Sequence, residues 1–366
     1  MQALLSQVPC YLRGVIMNTF GYHLRLTTFG ESHGSAIGGV LDGLPAGLDI
    51  DLDLLRREMQ RRRPGQSALT TPRDEQDEVE ILSGVFEGKS LGTPIGLIIR
   101  NTDHRPHDYE AMKLVHRPGH ADFVYESKYG IRDYRGGGRS SARETAVRVA
   151  AGALSRMLLN SKGISIQAFV SAVKDVHVPL PYTALDLSLT ELSPVRCPHP
   201  ASAERMVQVI EQAREAKDSV GGIITCVAKG VPAGLGDPVF GKLNARLADA
   251  MVSINAVKGF EMGDGFSSTL RQGSENNDSA DTNHDGGITG GISNGKDIWF
   301  RIGFKPVSTI GKAQTTTNIQ GEEVILEATG RHDPCVLPRA VPIVEAMAAL
   351  VIADALLSPG YTAHLK

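Results

Sequence analysis

The segment Thr27-Thr28-Phe29-Gly30-Glu31-Ser32-His33-Gly34 sets a hydroxyl, an imidazole and a carboxylate side by side in glycine-flanked backbone. An imidazole, with an ordinary pKa near 6.5, can donate or accept a proton around neutrality. Gly30-Glu31-Ser32-His33-Gly34 also fits G-x-S-x-G, the pattern of a nucleophile elbow, which requires a strand before it and a helix after it. The alternation of His23-Leu24-Arg25-Leu26-Thr27 supplies the strand. Residues 34–47, with Gly34, Gly38, Gly39, Gly43, Pro45 and Gly47, read as a second strand ending in a turn rather than a helix. A serine hydrolase is therefore disfavoured against a glycine-rich hairpin that carries a histidine.

Two arginine-rich segments could hold an anion beside that histidine. Arg56-Arg57 and Arg61-Arg62-Arg63-Pro64-Gly65 lie on and just beyond a candidate helix, residues 51–62, which Asp51 can cap. They suit either a solvated face or two-point recognition of phosphate and carboxylate. In Tyr134-Arg135-Gly136-Gly137-Gly138-Arg139-Ser140-Ser141-Ala142-Arg143-Glu144, three glycines free the backbone ahead of a helix expected to start at Ser140 or Ser141 and to run to about Leu159. A helix N-terminus next to Arg139 and Arg143 is a natural anion site. His116-Arg117-Pro118-Gly119-His120-Ala121-Asp122 has too few convergent ligands for zinc and reads better as a proton-donating histidine among arginines. Gly330-Arg331-His332-Asp333-Pro334-Cys335 offers either a polar turn with Asp333 paired to Arg331 or a carboxylate base beside a cation.

The elements that must position these groups are mixed. Strands are expected at 78–83, 94–100, 220–229 and 297–304, and helices at 202–216 with Ser202 as cap, along Phe240, Leu243, Leu247 and Met251, and at 340–357. The proline-rich residues 175–200 read as an exposed connection. Hairpin-like strands with interspersed helices favour α+β with antiparallel sheets. Neither G-x-G-x-x-G leading from a strand into a helix nor G-x-x-x-x-G-K-[ST] occurs. The 366 residues, 41% hydrophobic, allow a substantial core, and a net charge of −3 argues against a dedicated nucleic-acid binder. Cys10, Cys197, Cys226 and Cys335 form no C-x-x-C pair, which fits a reduced cytoplasmic setting. No segment reaches the apolar length that crosses a bilayer. Residues 1–16 are expected to be a poorly ordered extension ahead of Met17-Asn18-Thr19-Phe20-Gly21, and residues 17–366 a single catalytic domain.

Taken together, the motifs resemble the chorismate synthase family from Met17 to about Leu357. The resemblance rests on Gly-Glu-Ser-His-Gly with the following Asp42-Gly43-Leu44-Pro45, on Arg-Pro-Gly-His-Ala-Asp, and on Gly-Gly-Gly-Arg-Ser-Ser-Ala-Arg-Glu-Thr. It rests equally on Ser253-Ile254-Asn255-Ala256-Val257-Lys258-Gly259, Gly290-Gly291-Ile292-Ser293-Asn294-Gly295, Lys305-Pro306-Val307-Ser308-Thr309 and Gly-Arg-His-Asp-Pro-Cys. It implies conversion of 5-enolpyruvylshikimate 3-phosphate to chorismate and phosphate, an anti-1,4-elimination ending the shikimate route to aromatic amino acids. The elimination depends on reduced FMN (FMNH2) without net redox change.

By that resemblance His33 protonates the departing phosphate, His120 protonates or stabilises the reduced flavin, and Asp333 is the base that works with flavin N5. Ser32, Arg62, Arg117, Arg143 and Arg331 bind substrate. Arg139, Ser140, Ser141, Asn255, Ala256, Gly290, Lys305, Pro306, Val307, Ser308, Thr309 and Arg331 line the flavin site, and no metal is involved. The implied fold is a β-α-β sandwich with helices packed between antiparallel sheets, assembled as a homotetramer. No reductase module is apparent, so reduced FMN is expected from elsewhere rather than from NADPH on this chain. Two positions depart from the family pattern: Ala68, where relatives carry an arginine whose role Arg63 or Arg73 could take, and Asp285, where they carry a small residue. A flavin- or nucleotide-binding protein without activity is the competing class, and the retention of His33, His120 and Asp333 argues against it.

Overall fold

The computed structural model describes residues 17–63, 65, 77–102, 113–326 and 333–362. Residues 1–16, with the expected extension, lie outside that set, as do Pro64, Ala68, Arg73, Arg331 and His332. In chain order the first sheet is formed by β1 (Thr19–Phe20), β2 (Arg25–Phe29), β3 (Ala36–Asp42), β4 (Val79–Ile81) and β5 (Ile95–Arg100), with helix α1 (Leu52–Arg62) between β3 and β4. Its spatial order is β1-β2-β3-β5-β4, every neighbour antiparallel. Helices α2 (Asp122–Tyr129) and α3 (Thr145–Asn160) follow.

The second sheet comprises β6 (Ser165–Val173), β7 (Val176–His177), β8 (Gly222–Lys229), β9 (Val257–Met262) and β10 (Ile298–Phe304), in the order β9-β10-β8-β6-β7 and again antiparallel. Helices α4 (Pro200–Glu215) and α5 (Leu243–Val252) lie between its strands in sequence, and α6 (Leu337–Leu356) closes the core. The expected α+β class and β-α-β sandwich are what the chain adopts.

Alternation dictates the layers. Leu24, Leu26, Ile37, Leu41, Ile95, Leu97 and Ile99 turn one face of the first sheet inward, while Arg25, Thr27 and Phe29 stay exposed. Ile298, Phe300 and Ile302 do the same for the second sheet. Helix α3 packs on the first sheet, α6 on the second, and the two helices on each other. Sandwiched from both sides, α6 is apolar nearly all round, and eighteen of its twenty residues are buried. The approach of α3 to α6 is so close at Gly152 that a Cβ there would overlap Ala346.

A few expectations are corrected. Helix α3 starts at Thr145: Ser141 is extended, ends one short 3-10 turn and, with its Oγ accepting from the Arg143 N–H, caps a second over 142–144 that leads into the helix. The expected cap at Ser141 is therefore present on the 3-10 turn that precedes α3, and the α-helix itself begins later. His199, not Ser202, caps α4, with Pro200 pre-set for the first turn. Phe240 is fully exposed instead of facing inward from α5. Residues 175–200 are a cover rather than an exposed connection: Tyr182, Leu185 and Leu187 pack with Phe169, Val227 and Trp299 on the outer face of the second sheet.

The layers are pinned by charge at one buried point. Glu345 of α6, 2% exposed, accepts from Arg61 of α1 at 2.5 Å, Arg156 of α3 at 3.2 Å and the Ala168 N–H of β6 at 2.8 Å. Burial alone would raise the Glu345 pKa, but Arg61 and Arg156 outweigh it and hold the carboxyl below its ordinary range. A depressed carboxylate contributes stability that is complete above its unfolded pKa, near 4.3, and is lost as pH falls through the lower folded value. Glu345→Gln is expected to cost about 3–5 kcal/mol at pH 7 and to flatten the loss of stability below pH ~4.5, read from urea midpoints across pH. A pH slope equal to that of the parent would contradict the assignment. Gly152→Ala is expected to destabilise by about 1–3 kcal/mol through overpacking, read from the same melts.

Candidate active site

His33 sits in the turn that joins β2 to β3. The turn is closed by Gly30, at φ +93°, and by a hydrogen bond from the Gly34 N–H to the Glu31 carbonyl at 3.0 Å. The chain then continues into β3, so the elbow pattern is a hairpin, as expected. Ser32 Oγ and His33 Nδ1 lie 3.0 Å apart, and both side chains are buried. Gly136, at φ +83°, presses its backbone on the imidazole so closely that a Cβ would overlap the ring. Asp133 is held below its ordinary pKa first by hydrogen bonds from Arg135, with the nearby charge of His33 adding to the effect.

Guanidinium groups surround this turn, each matched to a carboxylate. Arg117 makes a two-point pair with Asp122 (2.8 and 2.7 Å) and donates to the Gly136 carbonyl at 3.0 Å. That links it to the residue lying on His33. Arg132 adds a second cation to Asp122 at 3.3 Å. On the other side, Arg62 donates to Asp77 at 2.7 Å and to the Ala142 carbonyl at 2.8 Å, while Arg143 pairs with the other oxygen of Asp77. Burial tends to raise the pKa of both Asp77 and Asp122, and the arginines reverse this, keeping both carboxyls ionised. Burial pulls Arg62 down to about 10; Arg339 and Arg143 reinforce this against Asp77, and the group remains charged at neutral pH. Arg339 pairs with Asp333 at 2.5 Å and reaches the Arg62 carbonyl at 3.5 Å, which brings Asp333 beside the end of α1. Among the described residues Arg62 and Arg143 thus share Asp77, Arg117 and Arg132 share Asp122 with Arg132 also paired to Glu126, and Arg339 pairs with Asp333, which gathers five guanidinium groups where an anionic ligand could bind.

A second group of residues lies one short step along the chain. His120 donates its N–H to the Arg117 carbonyl, and its Nε2 lies 2.5 Å from Thr309 Oγ1. Lys305 bonds the Gly119 carbonyl at 3.2 Å and Ser308 Oγ at 2.7 Å, and Ser308 Oγ reaches the same carbonyl at 3.1 Å. The Lys305 N–H donates to Ala256 O, Ser219 Oγ to Val307 O, and Asn255 Nδ2 to Ser140 O. Pro306 backs on Gly221. Arg139 donates to Thr28 Oγ1 at 2.6 Å.

Two buried polar atoms in this group, Arg139 Nη1 and Asn255 Oδ1, have no hydrogen-bond partner among the described residues. Such orphans are costly unless a ligand or water meets them. They are the features here that best fit a polar cofactor with both donors and acceptors. Gly290 does not join the group within one chain. Its neighbour Gly291 bonds the Leu243 N–H at the start of α5, whereas Asn255 follows the other end of that helix, ~15 Å away at 1.5 Å per residue. Ser140 and Ser141 are spent locally, on Gly137 O and the Arg143 N–H. Among the described residues Asp285 makes turn contacts, its N–H donating to Asp278 and its carboxylate accepting from Thr289 Oγ1. Arg331 is outside the described residues.

Sequence reasoning gave no role to Asp77, Asn101, Arg132 or Arg339. Asn101 ends the strand containing β5, and nothing local distinguishes it. Asp77 sits among other acidic residues at φ +51°, where only its partners mark it. The spacing of Arg117 and Asp122 within one motif was the available signal for the pair they form.

Comparison with known proteins accords with this geometry. A family profile described as chorismate synthase matches residues 24–357. A protein named chorismate synthase from Parabacteroides distasonis is 57% identical over 350 residues, covering 93% of this chain and 98% of its own length. One of the same name from Christiangramia forsetii is 57% identical over 343 residues (92% and 96%), and one from Cyanothece sp. is 54% identical over 358 residues (95% and 99%). A solved structure described as the crystal structure of chorismate synthase aligns with a TM-score of 0.73 at 33% identity, over 92% of each chain. The chain belongs to the chorismate synthase family.

Proposed function

We propose that this chain catalyses the anti-1,4-elimination of phosphate from 5-enolpyruvylshikimate 3-phosphate, giving chorismate, with reduced FMN as an obligatory cofactor. The observation that carries this reading is the cluster of buried, carboxylate-oriented guanidinium groups linked to the His33 turn. The substrate bears a phosphate and two carboxylates, and such a ligand leaves water only where several preorganised cations replace its hydration. Arg62, Arg143 and Arg117, already oriented by Asp77 and Asp122, meet that need at little reorganisation cost, and Ser32 supplies a further hydroxyl.

In the elimination the C3–O bond to phosphate breaks, a proton leaves C6, and a second ring double bond forms, so no electrons are gained or lost overall. His33 holds the proton that the departing phosphate takes up. Asp333, beside Arg339 and the end of α1, receives the proton lost from C6. When bound, reduced FMN supplies transient electron density to the breaking C–O bond. Arg139, Asn255, Ala256 and Lys305 through Thr309 would hold it, with Ser140 and Ser141 contributing backbone, and His120 would hold a proton beside it. Among the described residues no helix is long and apolar enough to cross a membrane. Cys197, Cys226 and Cys335 are free thiols. The free thiols fit a reducing setting, and the family resemblance supports a homotetramer built from single catalytic domains.

An anaerobic assay with substrate and dithionite-reduced FMN, with and without NADPH, tests the reading; absence of chorismate in both arms would overturn it. His33→Ala is expected to retain FMN and substrate binding by calorimetry while turnover falls about 10²–10⁴-fold. Unchanged turnover would remove His33 from the mechanism. Gly136→Ala, which displaces the imidazole, is expected to lower kcat by at least about tenfold with FMN binding intact.

A further inference from the structure

We infer that Asn101 is a positioning residue that fixes the His33 turn relative to the anion-holding Arg143. The inference rests on the elimination proposed above and adds to it a residue outside the assigned site. Asn101 is 6% exposed and follows β5, which pairs with β3 from Ala36 opposite Arg100. Its Nδ2 donates to both carbonyls that frame the catalytic turn, Gly34 O at 2.8 Å and Glu31 O at 3.2 Å. Its backbone N–H donates to Ser35 O at 3.1 Å. Its Oδ1 accepts from Arg143 Nε at 3.0 Å. Only a carboxamide of this length offers a donor to the turn and an acceptor to a guanidinium at once. Through Arg143 the tie continues to Asp77 and on to Arg62. One side chain therefore sets the distance between the proton donor and two cations that would hold the leaving group and carboxylates.

The two halves of the amide have separable consequences. Asn101→Asp keeps the acceptor for Arg143 but turns an oxygen on the two carbonyls, which repels the turn. Asn101→Ala removes both contacts. Asn101→Asp is expected to lower kcat about 10–100-fold with KM within about threefold of the parent, because the clamp survives and the proton donor is misplaced. Asn101→Ala is expected to lower kcat and raise KM together. A readout that does not need turnover is carbethoxylation of His33 by diethyl pyrocarbonate, followed by peptide mass spectrometry. Release of the turn is expected to speed it about fivefold or more in Asn101→Asp. FMN binding and the melting temperature report whether each variant is folded. If Asn101→Asp does not fold, Asn101→Ser, whose shorter hydroxyl reaches neither the turn nor Arg143, is compared with the parent for kcat and His33 reactivity. Parent-like kcat and parent-like His33 reactivity in a folded variant would overturn the inference. Failure of the parent to convert substrate would instead overturn the proposed function, leaving the reactivity comparison to decide the role of Asn101.

Discussion

Two buried guanidinium groups sharing one buried carboxylate is the constraint on which the candidate site depends. Arg62 comes from the last turn of α1 and Arg143 from the turns ahead of α3, and Asp77 joins them from a segment between α1 and β4. Without Asp77, two like charges would face each other away from water, a cost of several kcal/mol per ion. With it, the pair keeps a net positive charge and a fixed orientation. Asp77 sits at φ +51°, a conformation that costs an ordinary residue roughly 1–3 kcal/mol, and the two ion pairs are what hold it there.

The sandwich brings those groups to one place. The first sheet brings the His33 turn and Asn101 together at neighbouring strand ends. Helix α3, lying under that sheet, brings Arg143; α1, tied to α3 and α6 through Glu345, brings Arg62. The start of α6 brings Arg339 and with it Asp333. Arg62 and Arg339 sit on helices anchored by apolar packing, whereas Arg117, Arg132 and Arg143 lie in turns and are fixed by their carboxylate and carbonyl partners. Preorganisation of this kind allows an electrostatic site to act without rearranging at each turnover.

Much of the architecture could be read from residue order. The strands β2, β5 and β10 alternate because one face of each is buried, and the glycines after His33 exclude the helix that a nucleophile elbow needs. Where reading failed, the cause was a contact that local pattern does not contain. Ser141 Oγ caps the Arg143 N–H and delays α3 to Thr145, a competition between side chain and helix that propensity cannot settle. Residues 175–200 have no period, yet Tyr182, Leu185 and Leu187 cover the second sheet. Asp77 and Asn101 meet Arg143 across 66 and 42 residues, so nothing adjacent marks them. The histidines and arginines of the site stood out because their chemistry is unusual in glycine-rich turns; the residues that orient them are ordinary ones in unusual places.

The most direct measurement is a crystal structure of the chain with 5-enolpyruvylshikimate 3-phosphate and FMN both bound. The account predicts the substrate anions within hydrogen-bond distance of Arg62, Arg117 or Arg143, and the isoalloxazine ring between His33 and His120. Both molecules seated away from the two imidazoles, with the arginines still paired only to Asp77 and Asp122, would contradict it.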